Sequence, residues 1–526
     1  VIKASESVEV SGLSQQLGPS QLSTLTIGAG AASDIIIETR RLLITNSGII
    51  DASTLDSGSG GNVTVDASES VQLLGGGFFT GLGTRSLSLN NDAGNAGTVR
   101  ISTRSLILRD GGRISTSTIG AGNGGSLRID ASESVAAIGR SRLDINLPSS
   151  LLAETRTAGF IAATGAGGNL IINTQRLVVQ DGASISVGAF NGSTGQAGTL
   201  DINASDSVTV AGTGIDRNSQ VVPSTLLAAS EGSGSAGNLS INTGTLSVRD
   251  GAVVSVSNQG SGNAGNLEIT ASELLLDNQG KLTAETTAGQ GNINLRSGNL
   301  ILRRGSSITT NATGTASGGN ITINTDNLVA IPQENSDISA NAINSFGGGV
   351  IINASGIFGT QFRNEPTPLS DITASSDLGS QFSGTVQLNA SEFDPNRGLV
   401  VLPTNVIDSS ELIANSCIGR SNRRAGKFII TGNGGLPLTP DDPPVSPYQT
   451  YQIPTVQNAS ISTYRELDSA SSIAPTSNMP NNRTSAPLVE AQGWVYDSHG
   501  KVILTAQAPT VTTRDSWSKL HTCPGL

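Results

Sequence analysis

The sequence predicts an all-β chain folded mainly as a parallel β-helix (β-solenoid), and three observations lead there. Two phrases alternate along most of its length, each phrase alternates apolar with polar residues, and no sustained helical period breaks the pattern. The first phrase is Ala-Ser-Glu-Ser-Val, at Ala4–Val8, Ala67–Val71 and Ala131–Val135. It returns as Ala204-Ser-Asp-Ser-Val208 and, degraded, as Ala271-Ser-Glu-Leu-Leu275, so the copies start 63, 64, 73 and 67 residues apart. The second phrase lies between them, as VRISTRSLILRDGG from Val99, LIINTQRLVVQDGA from Leu170 and LSINTGTLSVRDGA from Leu239.

Each phrase reads as a strand, a short corner and a second apolar strand. Strands repeating at this spacing without hairpin turns stack most simply in parallel, coil upon coil. The inward positions are expected at Val63/Val65, Leu127/Ile129, Leu200/Ile202 and Leu267/Ile269. With about three coils per repeat of near 67 residues, the stack to residue 395 would be on the order of 80 Å long. Extra length sits beside Pro148-Ser-Ser-Leu-Leu152 and Pro223-Ser-Thr-Leu-Leu227, which look like one insertion used twice.

Three motifs could suggest a ligand. The spacing G-x-G-x-x-G at Gly260, Gly262 and Gly265 matches a dinucleotide-binding loop, which must open a helix whose N–H groups face the pyrophosphate. Here Asn266–Thr270 follows with a strand's alternation, and the spacing recurs at Gly120, Gly122, Gly125 and at Gly232, Gly234, Gly237. The glycines are therefore turns of a repeat. Asparagine recurs just after the apolar pair, at Asn173, Asn242, Asn324 and Asn353, and is expected to form a structural ladder at a corner. Asp110-Gly111, Asp181-Gly182 and Asp250-Gly251 lack the oxygen-rich spacing of a calcium loop and read as turns.

A polysaccharide-cleaving β-helix needs acidic residues converging on adjacent coils. Asn324-Thr325-Asp326 faintly resembles one hydrolase motif, but its companions are missing. The only Asp pair, Asp441-Asp442, lies among prolines, and His499 and His521 fall outside the repeats. No catalytic, cofactor-binding or metal-binding residue is assigned, and no enzyme activity or cofactor is expected. A net charge of −11 with 13% charged residues argues against nucleic acid or an anionic membrane as partner.

Character changes after residue 395. Both Trp, all four Tyr, both His, both Cys and the single Met lie beyond residue 416. The organisation expected is repeats over 1–395, a cap over 396–436, a Pro/Ser/Thr/Asn-rich linker over 437–490 and a β-hairpin region over 491–526. The hairpin would turn at Ser498-His-Gly500. Cys417 and Cys523 are either a single closing bridge or two free thiols, and the extracellular look of the repeats favours the bridge.

The alternation of GNLxINTxxLxVxDGAxVS with GNLxIxASESV resembles the large filamentous-haemagglutinin-type exoproteins of cyanobacteria. NRGLVVLPTNVIDSSELIANSC and GWVYDSHGKVILTAQAPT resemble the C-terminal ends of the same group, so the likeness covers almost the whole chain. The resemblance implies a right-handed β-helix, export through an outer-membrane two-partner-secretion transporter, and an extracellular or cell-surface location. It implies adhesion to cell-surface glycans or other cells, or a structural role, and carries over no catalytic residue. The chain begins at Val1 without an apolar signal core, and is expected to be the C-terminal part of a longer exoprotein. A secreted or surface-attached adhesin is the first expectation, with a carbohydrate-active β-helix enzyme and a ligand-free sheath component as alternatives.

Overall fold

The structure is a computed structural model that describes residues 1–14, 18–76, 79–141 and 147–390, together with the strands Gly493–Tyr496 and Val502–Thr505. The chain divides into two compact units, residues 1–406 and 407–526. In the second, Gly493–Tyr496 pairs antiparallel with Val502–Thr505, Tyr496 opposite Val502. The expected cap, the linker, Cys417 and Cys523 lie outside the described residues.

The first unit is a parallel β-helix. One sheet stacks long strands in strict chain order, from Ile2–Lys3 through Ile35–Thr45, Val63–Leu74 and Val99–Arg109 to Thr385–Ala390. A second sheet stacks short strands, from Gln21–Ser23 through Gly112–Ser115 and Ser184–Ser186 to Asp371–Thr373 and Gln361–Phe362. Each coil is one long strand, a corner, one short strand and a glycine-rich return. The core is the row of side chains between the sheets. Val63, Val65, Leu127, Ile129, Leu200, Ile202, Leu267 and Ile269 all point into it and are at most 1% exposed. Facing them from the short strands are Ile114, Leu151, Ile185, Leu226, Val254 and Leu282, equally buried.

The register corrects one expectation. Val63 pairs with Val99 and Val99 with Leu127, so the repeat of near 67 residues makes two coils, not three. Each phrase, expected to be a strand, a corner and a second strand, is one continuous strand such as Val99–Arg109 or Leu127–Ile138 and opens a whole turn of the helix. Thirteen strands in the long-strand path therefore give a stack of about 58 Å at roughly 4.8 Å per layer.

The two phrases differ by one residue, and the difference is visible in the pairing. Thr103 pairs with Ala131 but Ser105 pairs with Ser134, so Ser132 and Glu133 together oppose Arg104. The same bulge recurs where Val63–Leu74 and Leu200–Ala211 meet their neighbours. Its acid meets an arginine of an adjacent coil: Glu69 with Arg40, Glu133 with Arg104 and Asp206 with Arg176. Arg40 also reaches back to Glu6 at 3.0 Å, joining three coils. The degraded copy at Ala271 has lost one residue, and from there to Phe358 the long strands pair without a shift.

At the Asp-Gly corners both residues take positive φ, 57° and 78° at Asp250-Gly251 for example, as a left-handed turn requires. The dinucleotide-like glycines have another cause. A side chain at Gly260, Gly262 or Gly265 would place its Cβ 1.9, 2.5 or 1.8 Å from the carbonyl oxygen of Gly232, Gly234 or Gly237 on the coil below. The spacing G-x-G-x-x-G is thus a set of contact points between coils.

Two outcomes follow. Gly265→Ala should destabilise the unit by about 1–3 kcal/mol in denaturant titrations, whereas Gly28→Ala, with nothing within 4 Å of its Cβ, should be neutral within about 0.5 kcal/mol. The Arg40 hydrogen bond holds the Glu69 carboxyl below the usual glutamate range. A depressed folded pKa contributes stability above the unfolded value of about 4.3 that is lost as pH falls through the folded value. Melting temperature followed downward from pH 5 should therefore fall less steeply in Glu69→Gln than in the parent.

Candidate groove on the short-strand face

The asparagines named from the sequence share one column of the long-strand sheet. Asp130, Asn173, Asn203 and Asn242 pair in succession, then Thr270 and Arg296 interrupt, then Asn324, Asn353 and Asn389 follow. Asn173 donates to Asp130 at 2.7 Å and Asn203 to Asn173 at 3.1 Å. Beyond the interruption Asn353 donates to Asn324 at 2.8 Å and Asn389 to Asn353 at 2.7 Å. The bonded amides spend donors and acceptors on one another, whereas Asn242 stands in the column without such a bond among the described residues. A second column escaped sequence reading, in which Asn292 donates to Asn266 and Asn320 to Asn292. Its signal was the Gly-Asn pair ahead of the apolar pairs that begin at Leu267, Ile293 and Ile321. Asp326 is exposed and lies between Gly298 and Ser355 of the flanking coils, with no second acid beside it.

Hollows of about 440, 530 and 550 Å³ follow the column of Asn173 and Asn242, and a further concave surface lies along the outer side of the short strands. Two adjoining hollows of about 520 and 870 Å³ share Phe190, Leu227 and Glu231 and form one groove across successive coils. Its first half is built by the doubled insertion. In both copies the chain leaves the corner and returns antiparallel, Arg140 opposite Pro148 and Thr213 opposite Pro223. In both, the serine after the proline locks the return: Ser149 donates to Ile138 O and Ser224 to Ala211 O, each at 2.7 Å. These arms bring Arg140, Pro148, Asp216 and Arg217 to the groove. Across from them stands the column Arg156, Phe190 and Glu231. Gly188 makes room for the aromatic ring, since a Cβ there would meet Phe190 Cζ at 2.3 Å.

Charges in the groove are unequally partnered. Arg156 donates to Glu154 at 3.1 Å and lies 5.5 Å over the Phe190 ring. Glu231 accepts the Asn191 backbone N–H at 3.0 Å. Asp216 accepts the N–H groups of Asn218 and Gln220, both at 2.8 Å, and so closes its own turn. Among the described residues the Arg113 side chain makes one hydrogen bond, from Nε to Ser150 Oγ at 3.1 Å. Burial pushes its guanidinium down to about 10; Glu154 opposes that shift, and Arg156, Arg85 and Arg140 reinforce it. Arg140 is also pushed down by burial. The second half is lined by neutral polar side chains such as Ser255, Asn258, Gln259, Thr283 and Thr287, with Lys281 and Glu285.

Chemically, the groove offers an aromatic face, many hydroxyl and amide groups, and arginines. Its carboxylates are committed to other partners. Sequence reading named none of the charged or aromatic residues of this groove; the repeated insertion at Pro148 and Pro223 was the legible trace of the site. Among the described residues no cluster of three His, Cys, Asp or Glu could hold a metal ion. Comparison with protein-family models, curated proteins and solved structures gives no match.

One outcome separates ladder from ligand site. Asn353→Ala should cost roughly 0.5–1.5 kcal/mol of stability per lost hydrogen bond, read by chemical unfolding, and leave any glycan binding unchanged.

Proposed function

We propose that the chain is the rod of a secreted or surface-attached adhesin, which holds glycans in the groove on its short-strand face. The observation that carries this reading is the groove itself, continuous over several coils and lined by hydroxyls, amides and one aromatic ring. Such a surface suits sugars, whose C–H faces pack on rings and whose hydroxyls seek neutral polar partners. A rigid stack spaces those contacts at fixed intervals, so weak contacts along a polymer add by multivalency. On this reading the chain leaves the cell through an outer-membrane transporter, as its likeness to two-partner-secretion exoproteins implies.

Carbohydrate cleavage is the competing use of such a groove. It would call for a free acid and base flanking one bond. Glu154 and Glu231 come from coils two layers apart, and each already has a partner. That accounting favours holding over cutting.

The experiment is a glycan and intact-cell binding screen with the full chain, run beside polysaccharide-cleavage assays. Saturable binding without cleavage is expected, weakened about tenfold, or 1.4 kcal/mol, by Phe190→Ala. Cleavage abolished by Glu154→Gln or Glu231→Gln would make the protein an enzyme. Absence of saturable binding would leave a sheath component.

A further inference from the structure

We infer that the end of the groove around Arg113 is a subsite for an oxyanion carried on a polysaccharide, the carboxylate of a uronic acid or a sulfate ester. This rests on the reading of the groove as a glycan site and assigns it a charge preference.

The argument is an accounting of charges. Three acids line this half of the groove, Glu154, Asp216 and Glu231, and each is engaged by Arg156 or by backbone N–H groups. Among the described residues Arg113 makes no ion pair, although it lines the same hollow. Of the charges around it Glu154 acts most strongly, but that carboxylate is bonded to Arg156, and Arg156, Arg85 and Arg140 carry Arg113's own sign. Arg113 is half-buried, and a guanidinium partly withdrawn from water costs free energy unless an anion meets it. The Nε bond to Ser150 fixes the plane of the group and leaves the terminal amino groups for a ligand. Two parallel N–H···O bonds to a pair of oxygens on a carboxylate or sulfate are what this fork is shaped to make.

The hollow of about 520 Å³ has room for sugar around that anion. It opens through Phe190, Leu227 and Glu231 into the larger half, where neutral polar groups dominate. An acidic unit within a longer glycan fits that sequence of environments, one charge anchored at Arg113 and uncharged hydroxyls beyond it.

The test uses the full chain and three size-matched probes, an oligogalacturonate, its fully methyl-esterified form and a sulfated oligosaccharide, with titration calorimetry as readout. The acid form should bind at least tenfold tighter than the ester, and Arg113→Gln should erase the difference. Ser184→Glu leaves Arg113 in place but adds a carboxylate to the same outward column, since Arg113, Ser150 and Ser184 pair in succession. It should erase the preference too, and it keeps the test intact should Arg113→Gln fail to fold. The order of the carboxylate and sulfate arms names the anion. Equal binding of acid and ester, or a preference that survives both substitutions, overturns the subsite while the glycan groove stands. No binding of any probe overturns both.

Discussion

Everything in the β-helix depends on one distance, the approach of each coil to the one beneath. Parallel strands in register demand a layer spacing near 4.8 Å around the whole turn, including the return loops where no sheet enforces it. There the chain meets the demand by omitting side chains. The carbonyl oxygens of Gly97, Gly125, Gly168, Gly198 and Gly237 occupy the space where a Cβ of the next coil's glycine would sit. The aliphatic core then follows, since identical inward positions fall over one another and fill a thin interior without large aromatics.

The groove is a consequence of the same regularity, locally broken. A solenoid whose coils were all of the minimal length, like the 26 residues from Leu267 to Ile293, would present a smooth face. Coils lengthened at the corner by the arms around Pro148 and Pro223 raise material beside that face. The short strands below keep their register, so whatever binds meets a rigid floor and a variable rim. Function placed this way can change without disturbing the core.

This division explains what the sequence disclosed. Coil starts, inward pairs and the Asn column were legible because each is a repetition, and repetition survives in sequence as spacing. The number of coils per repeat was misjudged because each phrase, read as two strands about a corner, is one continuous strand, so fewer strands share the repeat. The bulge at Ser132-Glu133 looked like part of a phrase until its partner Arg104 was seen across the layer. Arg113 was invisible for a different reason. Its neighbours Ser150, Glu154 and Arg156 come from another coil, and no spacing rule links a short-strand residue to the charges above it.

The alternation of bulged and unbulged coils bears on how such a gene grows and shrinks. A bulged strand carries the acid and its neighbour the arginine, so the smallest segment that can be duplicated with charge and register intact is a pair of coils. Loss or gain of a single coil would set two bulges, and two like charges, face to face. Recombination within the repeats should therefore leave viable chains differing by even numbers of coils. Beyond Ala271, where the extra residue is gone and strands meet flush, the same gene could vary one coil at a time.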